Sequence, residues 1–132
     1  MSVALEGIDH IHIHVANREK AEKWYSTVFG FFRTPHLEIF AQGKGPLTLQ
    51  NTSGTIHLAL FERPEIQSTT VALKASAKSL AQYKKHLETL GIEYVLMDHQ
   101  LAWSIYLSDP DGNPYEIITY EYEEYTRDYA DK

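Results

Sequence analysis

Three histidines near the start of the chain are spaced so that they could act together. His10, His12 and His14 alternate with isoleucines in the segment GIDHIHIHV. Alternate residues of a β-strand point to the same face, so a strand here would present three imidazoles side by side. Imidazoles bind divalent metal ions and exchange protons near neutral pH. The segment therefore indicates either a site for a metal or for proton transfer, or a polar strand face that faces solvent.

Two more side chains with metal-binding chemistry lie in apolar surroundings further along the chain. Glu116 stands in PYEII, and His57 stands in TIHLALF. A buried carboxylate without a partner is costly, so Glu116 needs a metal ion, a cation or a hydrogen-bond donor unless its strand face is solvated. His57 can equally be a core histidine, because a neutral imidazole can be buried when both ring nitrogens are hydrogen-bonded.

Composition narrows the chemistry and the partners. The chain has 132 residues, no cysteine and a net charge of −6. Without thiolates, a metal ion must be held by His, Asp or Glu, which suits Fe, Mn, Ni or Zn. The acidic balance argues against a partner bound through a phosphate backbone, so we expect no nucleic-acid partner. No apolar run is long enough to span a membrane and no signal peptide is recognisable, so we predict a cytoplasmic protein without a membrane partner.

Hydrophobic periodicity and turn residues predict the order βαβββ twice over. Asn17 is a suitable N-cap for a helix that stops at Gly30, and Ser76 or Ser79 can cap a second helix that stops at Gly91. For the acidic, tyrosine-rich tail from residue 121 we predict no helix or strand, and we interpret it as a segment that is solvated or packs in a dimer. Strands are predicted over residues 8–15, 31–41, 47–51, 55–61, 69–74, 92–97, 103–107 and 115–120.

The repeated order indicates that the chain contains an internal repeat. Aligning the two helix stops brings His10 close to Thr70 in the alignment. The same alignment brings His57 close to Glu116. Three of these four positions carry a side chain that can bind a metal ion.

Two motifs in this order resemble the vicinal oxygen chelate superfamily of glyoxalases, bleomycin-resistance proteins and extradiol dioxygenases. The more specific motif is SIYLSDPDGNPYE at residues 104–116, and the other is DHIHIHV at residues 9–15 followed by WY and VFG in the first helix. The resemblance implies an α+β fold in which two βαβββ modules form a cupped, incomplete mixed β-barrel with flanking helices. It also implies one domain over residues 1–132, with module one at about 7–64, module two at about 68–120 and a tail at 121–132. A homodimer is the usual assembly of short members.

The resemblance also implies site residues. His10, His57 and Glu116 occupy positions at which members bind one divalent metal ion, Fe, Mn, Ni or Zn. Thr70 occupies a position at which many members carry a histidine. Catalytic roles fall to three residues: Tyr106 and Ser104, which share a strand face, would orient the substrate, and His12 is a candidate pocket residue. Tyr106 can alternatively be a core tyrosine with its hydroxyl at the edge of the barrel.

The sequence leaves two main functions open. The first is a divalent-metal-dependent enzyme of the lyase, isomerase or dioxygenase type, acting on a small substrate with vicinal oxygens. The second is a metal-free small-molecule binding protein of the bleomycin-resistance type, which Thr70 favours. His57 stands where glyoxalase-type members have a glutamate, and this disfavours glyoxalase I activity itself. A third possibility is an interaction module that acts through the acidic tail.

Overall fold

The computed structural model describes residues 3–131, so Met1, Ser2 and Lys132 at the ends of the predicted domain lie outside the described residues. The chain divides into two compact units, Met1–Gln67 and Ser68–Lys132. Each unit contains a four-stranded mixed sheet and a long helix in the order βαβββ. The predicted α+β class with two βαβββ modules is confirmed.

Unit 1 builds its sheet in the order β1-β4-β3-β2. Strand β1 pairs in parallel with β4, and the other neighbours are antiparallel. The elements are β1 (Ile11–Val15), α1 (Arg18–Phe29), β2 (Phe32–Arg33), a 3₁₀ helix (Pro35–Ala41), β3 (Leu47–Gln50) and β4 (His57–Glu62).

The prediction of an extended segment over residues 31–41 is wrong for most of that range. Only Phe32–Arg33 form a strand, and Pro35–Ala41 form the 3₁₀ helix. Pro35 explains the change, because proline has no N–H for a strand ladder and its fixed φ suits the first turn of a helix. Strand β2 therefore ends where the proline begins.

Helix α1 begins and ends at the residues that the sequence indicated. The Asn17 side chain accepts a hydrogen bond from the Lys20 backbone N–H at 2.8 Å. Gly30 closes the helix in the left-handed conformation at φ 71°, where a side chain would be strained. These two caps set the length of the helix and therefore the direction in which the chain re-enters the sheet.

Replacing Asn17 by alanine should lower the free energy of unfolding by about 1 kcal/mol, because the Lys20 N–H loses its acceptor. Asn17→Asp keeps an acceptor oxygen at the same place and should stay close to the parent protein. Urea unfolding followed by circular dichroism measures both variants, and equal stability of the alanine and aspartate variants would contradict the capping role.

Unit 2 repeats the sheet order as β5-β8-β7-β6, with β5 and β8 parallel and the other neighbours antiparallel. This shared order confirms the internal repeat. The elements are β5 (Val71–Lys74), α2 (Ala77–Leu90), β6 (Val95–Asp98), β7 (Trp103–Ser108), β8 (Pro114–Thr119) and α3 (Tyr122–Asp128).

A buried aspartate organises the turn between β7 and β8. Asp109 Oδ1 accepts hydrogen bonds from the backbone N–H groups of Asp111 and Asn113, and Oδ2 accepts one from the Asn113 side chain at 2.8 Å. Gly112 takes the left-handed conformation at φ 86° that the turn requires. The predicted turn is confirmed, and it determines where β8, the strand of Glu116, begins.

The tail, which the sequence left without an element, forms helix α3. Tyr125 is fully buried, with its ring 5.2 Å from that of Trp103. The Trp103 indole N–H donates to the Thr126 hydroxyl at 2.9 Å, and Glu121 Oε1 accepts from the Ala77 N–H at the start of α2 at 2.7 Å. The segment is acidic in composition, but one side of α3 is apolar and packs against the rest of unit 2.

Each sheet packs one face against its long helix. In both units most of the buried residues are aliphatic or aromatic. Alternation along the strands therefore leaves the second face of each sheet to the polar candidates. No helix among residues 3–131 has the length and apolarity to cross a membrane. The buried residues include Ile13, Val15, Tyr25, Val28, Leu49, Leu58 and Leu60 in unit 1, and Leu80, Leu87, Ile105, Tyr115 and Ile117 in unit 2.

Candidate functional site

The histidine-rich segment lies on the face of the unit 1 sheet that α1 does not cover. Ile13 and Val15 are buried, whereas His12 and His14 alternate with them and are more exposed. His10 comes one residue before β1 and is exposed. Because side chains alternate along the strand, the three imidazoles share this second face, as the sequence predicted.

Hydrogen bonds hold the His10 ring at both nitrogens. Nδ1 lies 2.7 Å from a carboxylate oxygen of Asp9, and Nε2 lies 3.0 Å from Nε2 of His12. The two rings stack with their centroids 4.9 Å apart, and the His12 ring also packs on Phe61 at 4.5 Å. The hydrogen bond from His10 and the charge of that ring lower the pKa of Asp9.

His57 begins strand β4, next to β1. Ile11 pairs with Leu58 in the parallel ladder, so continuing the register by one residue brings His57 beside His10. Neighbouring strands are about 4.8 Å apart, and paired residues point to the same face. Within the described part of its unit, neither ring nitrogen of half-buried His57 has a hydrogen-bond partner. The core-histidine alternative required both nitrogens to be satisfied inside the protein, so it finds no support in unit 1.

His14 differs from the other two histidines of its strand. Its Nδ1 accepts a hydrogen bond from the Gln67 backbone N–H at 3.3 Å. This contact ties the strand to the end of unit 1. His14 therefore has a structural contact of its own, and it serves below as a control position.

Glu116 lies in unit 2 on the sheet face away from α2, and its carboxylate accepts two hydroxyl hydrogen bonds on one oxygen. The Ser104 hydroxyl donates to Oε2 at 2.6 Å, and the Tyr106 hydroxyl donates to the same atom at 3.1 Å. Ser104 is fully buried, while Glu116 and Tyr106 are half-buried. The structure thus brings together, within unit 2, the three residues that the sequence placed near one another. The other oxygen, Oε1, has no donor among the described residues of unit 2.

His99 extends this network and was not among the candidates from the sequence. It lies in the loop between β6 and β7, and its Nε2 is 2.9 Å from the Tyr106 hydroxyl. Because the tyrosine proton is directed at Glu116, the hydroxyl oxygen accepts from His99. A signal for His99 was present in the sequence. Val95, Met97 and His99 alternate along the strand and its extension, and Val95 pairs with Tyr106, so His99 is expected on the same face as Tyr106.

The Tyr106 phenol is kept protonated by its surroundings. Desolvation, followed by the hydrogen bond to Glu116 and the charge of that carboxylate, raises the pKa of Tyr106. The side chain therefore remains a hydrogen-bond donor through the neutral range. This is the form that orients an oxygen atom of a substrate or supplies a proton to it.

Replacing Glu116 by glutamine should lower the pKa of Tyr106, because the negative charge that opposes phenol ionisation is removed. The pKa should stay above that of a free tyrosine, since desolvation, the largest cause, remains. Carbon NMR of labelled tyrosine rings follows the titration, with Tyr106→Phe identifying the signal. An unchanged pKa in the glutamine variant would contradict the contact between the two side chains.

Thr70 does not lie opposite Glu116. Ala72 is the partner of Glu116 on β5, and Tyr106 is its partner on β7. Thr70 precedes β5 and is exposed. The residue opposite Glu116 thus lies two positions after the one that the alignment by spacing selected.

A cavity of about 890 Å³ lies beside Tyr106 within unit 2. Its volume is in the range of small-molecule sites. Tyr106 belongs both to this cavity and to the hydroxyl–carboxylate network around Glu116. The lining residues are mostly apolar: Ile92, Glu93, Tyr94, Val95, Tyr106, Leu107, Ser108, Pro114 and Tyr115.

The donor chemistry suits a borderline divalent ion. Imidazole nitrogens and a carboxylate oxygen are ligands for Zn, Fe, Mn and Ni. Asp9 on His10, and the two hydroxyls on Glu116, are the kind of outer partners that orient metal ligands. Within neither unit, as far as residues 3–131 describe it, do three His, Asp or Glu side chains gather closely enough to hold a metal ion.

Comparison with known proteins shows the fold. No protein-family model matches the chain, and no curated protein is significantly similar in sequence. Among solved structures, a glyoxalase family protein from Bacillus anthracis has a TM-score of 0.73 at 20% identity, over 91% of this chain and 99% of that chain.

One named enzyme and one named resistance protein have a similar structure. Lactoylglutathione lyase from Agrobacterium tumefaciens has a TM-score of 0.70 at 19% identity, over 89% of this chain and 96% of that chain. The fosfomycin resistance protein FosX from Listeria monocytogenes, complexed with Mn(II) and sulfate, has a TM-score of 0.69 at 17% identity, over 96% of this chain and 99% of that chain. The chain therefore has a glyoxalase-like fold, the fold that its two motifs indicated.

Proposed function

We propose that this protein is a divalent-metal-dependent enzyme that acts on a small substrate with two neighbouring oxygen atoms. In this proposal His10, His57 and Glu116 bind one Fe, Mn, Ni or Zn ion. The observation that carries it is the state of Glu116, a half-buried carboxylate with one oxygen held by two hydroxyls and the other without a donor in its unit. Such a carboxylate is oriented for a ligand. His57, whose ring nitrogens have no partner in unit 1, supports the same proposal.

The proposed ligands leave the ion with positive charge. Two neutral imidazoles and one carboxylate contribute a charge of −1, so a divalent ion keeps one positive charge. When bound, such an ion polarises a substrate oxygen and stabilises negative charge that develops on it. An enolate or an alkoxide is the kind of intermediate that benefits, which fits lyase, isomerase or dioxygenase chemistry.

The chain's own side chains would handle the substrate and its proton. Tyr106, with its raised pKa, donates a hydrogen bond, and Ser104 holds Glu116 in place from the buried side. His12 stands next to His10 with its ring packed on that of Phe61, which makes it the candidate for moving a proton of the substrate. The cavity beside Tyr106 gives room for the body of a small molecule.

One observation favours a second candidate, a metal-free small-molecule binding protein. Glu116 already accepts two hydroxyl hydrogen bonds, so its negative charge is partly compensated without a metal ion. In that case the polar sheet faces and the cavity would bind a ligand by hydrogen bonds and apolar contact alone. The two candidates differ in one measurable property, the binding of a metal ion.

The test is metal content. Protein purified without added metal is analysed by inductively coupled plasma mass spectrometry, then stripped and titrated with Mn, Ni and Zn by calorimetry. We expect one ion per chain. No ion after purification and no uptake on titration would overturn the enzyme proposal and support the metal-free binder.

A second measurement separates the reaction types once an ion is present. Consumption of oxygen during turnover of vicinal diols and hydroxy-ketones indicates dioxygenase chemistry, and turnover without it indicates lyase or isomerase chemistry.

A further inference from the structure

We propose that Asp9 is a positioning residue for His10: its carboxylate fixes the imidazole so that Nε2 is presented to a metal ion. This inference extends the proposed function, which names His10 as a ligand. Asp9 itself takes no place in the ligand set. Its role is to hold the ring through the opposite nitrogen.

The geometry that carries the proposal is local to the start of β1. An Asp9 carboxylate oxygen lies 2.7 Å from His10 Nδ1, a short distance for a hydrogen bond between nitrogen and a charged oxygen. A carboxylate can only accept, so Nδ1 must be the nitrogen that carries the proton. In the neutral ring, Nε2 then has the free lone pair that a metal ion needs.

The other contact of the ring agrees with this assignment. His10 Nε2 is 3.0 Å from His12 Nε2, and with the His10 proton on Nδ1 it is His12 that donates. The lone pair that faces His12 in the absence of an ion is the one that would bind the ion. Asp9 therefore keeps that lone pair on the sheet face shared by His10, His12 and His57.

Stability is a poor explanation for the Asp9 contact. The Asp9 side chain is 95% exposed, and that of His10 is 40% exposed. Ion pairs between exposed side chains contribute little to the free energy of unfolding. The contact instead resembles the carboxylate–histidine pairs that orient the imidazole ligands of metal ions.

The first experiment is made on the metal-free protein. Nitrogen NMR shifts of the His10 ring report which nitrogen carries the proton in the neutral form. The parent protein should show the proton on Nδ1, and Asp9→Ala should shift the population toward the Nε2-protonated form. Asp9→Asn keeps an acceptor oxygen and should restore much of the parent tautomer. An unchanged tautomer in Asp9→Ala would overturn the proposal.

The second experiment measures affinity for Mn, Ni and Zn by calorimetry. Asp9→Ala should raise the Kd by about 10-fold or more, and Asp9→Asn should lie between it and the parent. Glu6→Ala, an exposed carboxylate three residues earlier, is the matched control for net charge and should leave the Kd unchanged. Equal Kd values for the Asp9→Ala and Glu6→Ala variants would also overturn the proposal.

The two readouts separate this inference from the proposed function. Should the parent protein bind no metal ion, the enzyme proposal fails, and the tautomer of His10 alone decides the role of Asp9. If metal binds but neither the tautomer of His10 nor the Kd changes when Asp9 is replaced, only the positioning role fails. Thermal unfolding of Asp9→Ala should match that of the parent, which shows that the fold is intact.

Discussion

Replacing His10 by alanine is expected to raise the Kd for the preferred divalent ion by more than about 100-fold. Loss of a partner behind a metal ligand typically costs 10- to 100-fold in affinity, and loss of the ligand itself costs more. His10 is the proposed ligand whose ring is best prepared, because Asp9 and His12 contact its two nitrogens. Calorimetric titration of the stripped protein with Mn, Ni and Zn measures the change.

His14→Ala is the matched control for this prediction. It removes an imidazole from the same strand and the same sheet face, but one whose Nδ1 is engaged by the Gln67 N–H. Its Kd should remain within a few-fold of the parent value. Glu116→Gln should strongly lower the affinity for the same ion, since the charged oxygen ligand is replaced by a neutral one. Similar losses in His10→Ala and His14→Ala would show that the strand, rather than one ligand, had been disturbed.

Replacing Tyr125 by alanine is expected to lower the free energy of unfolding by about 3–5 kcal/mol, as for other large buried aromatic residues. The side chain is fully buried in unit 2, and its ring lies 5.2 Å from Trp103 and 5.7 Å from Tyr129. Truncation would leave a cavity between α3 and the sheet. Chemical denaturation followed by tryptophan fluorescence reports the loss.

Two variants make the Tyr125 prediction specific. Tyr120→Ala removes a tyrosine that is 66% exposed just before α3, and its effect should be within about 0.5 kcal/mol. Tyr125→Phe should be neutral or stabilising, because the buried Tyr125 hydroxyl has no hydrogen-bond partner among residues 3–131. A small loss in Tyr125→Ala would mean that the tail does not pack as described and would restore the solvated-tail interpretation.

Local chemistry explains why much of the fold was predictable. Asn17, Gly30 and Gly91 act through contacts a few residues away, so their capping roles can be inferred from neighbours in the sequence. The Asp109–Asn113 turn is likewise closed by its own side chains. The two long helices and the order of the strands followed from these signals and from hydrophobic periodicity.

The two misses have physical causes. Helix α3 has only seven residues, too few for a periodic pattern, and it is held by Trp103 and by the start of α2, both distant in sequence. The partners that hold α3 therefore lie many residues away, where periodicity carries no information. His99 was missed for another reason: it follows the predicted strand 92–97 in the sequence, and only the pairing of β6 with β7 shows that it reaches Tyr106.

The candidate site divides in the same manner. Residue types and alternation along single strands drew attention to His10, His12 and Glu116, because a strand has only two faces and apolar residues occupy one of them. The family resemblance added the roles of Ser104 and Tyr106. Strand pairing was needed to bring His57 beside His10 and to place Ala72, instead of Thr70, opposite Glu116. The register of a strand pair depends on hydrogen bonds between segments that are distant in sequence. The order of residues along the chain does not specify these hydrogen bonds directly.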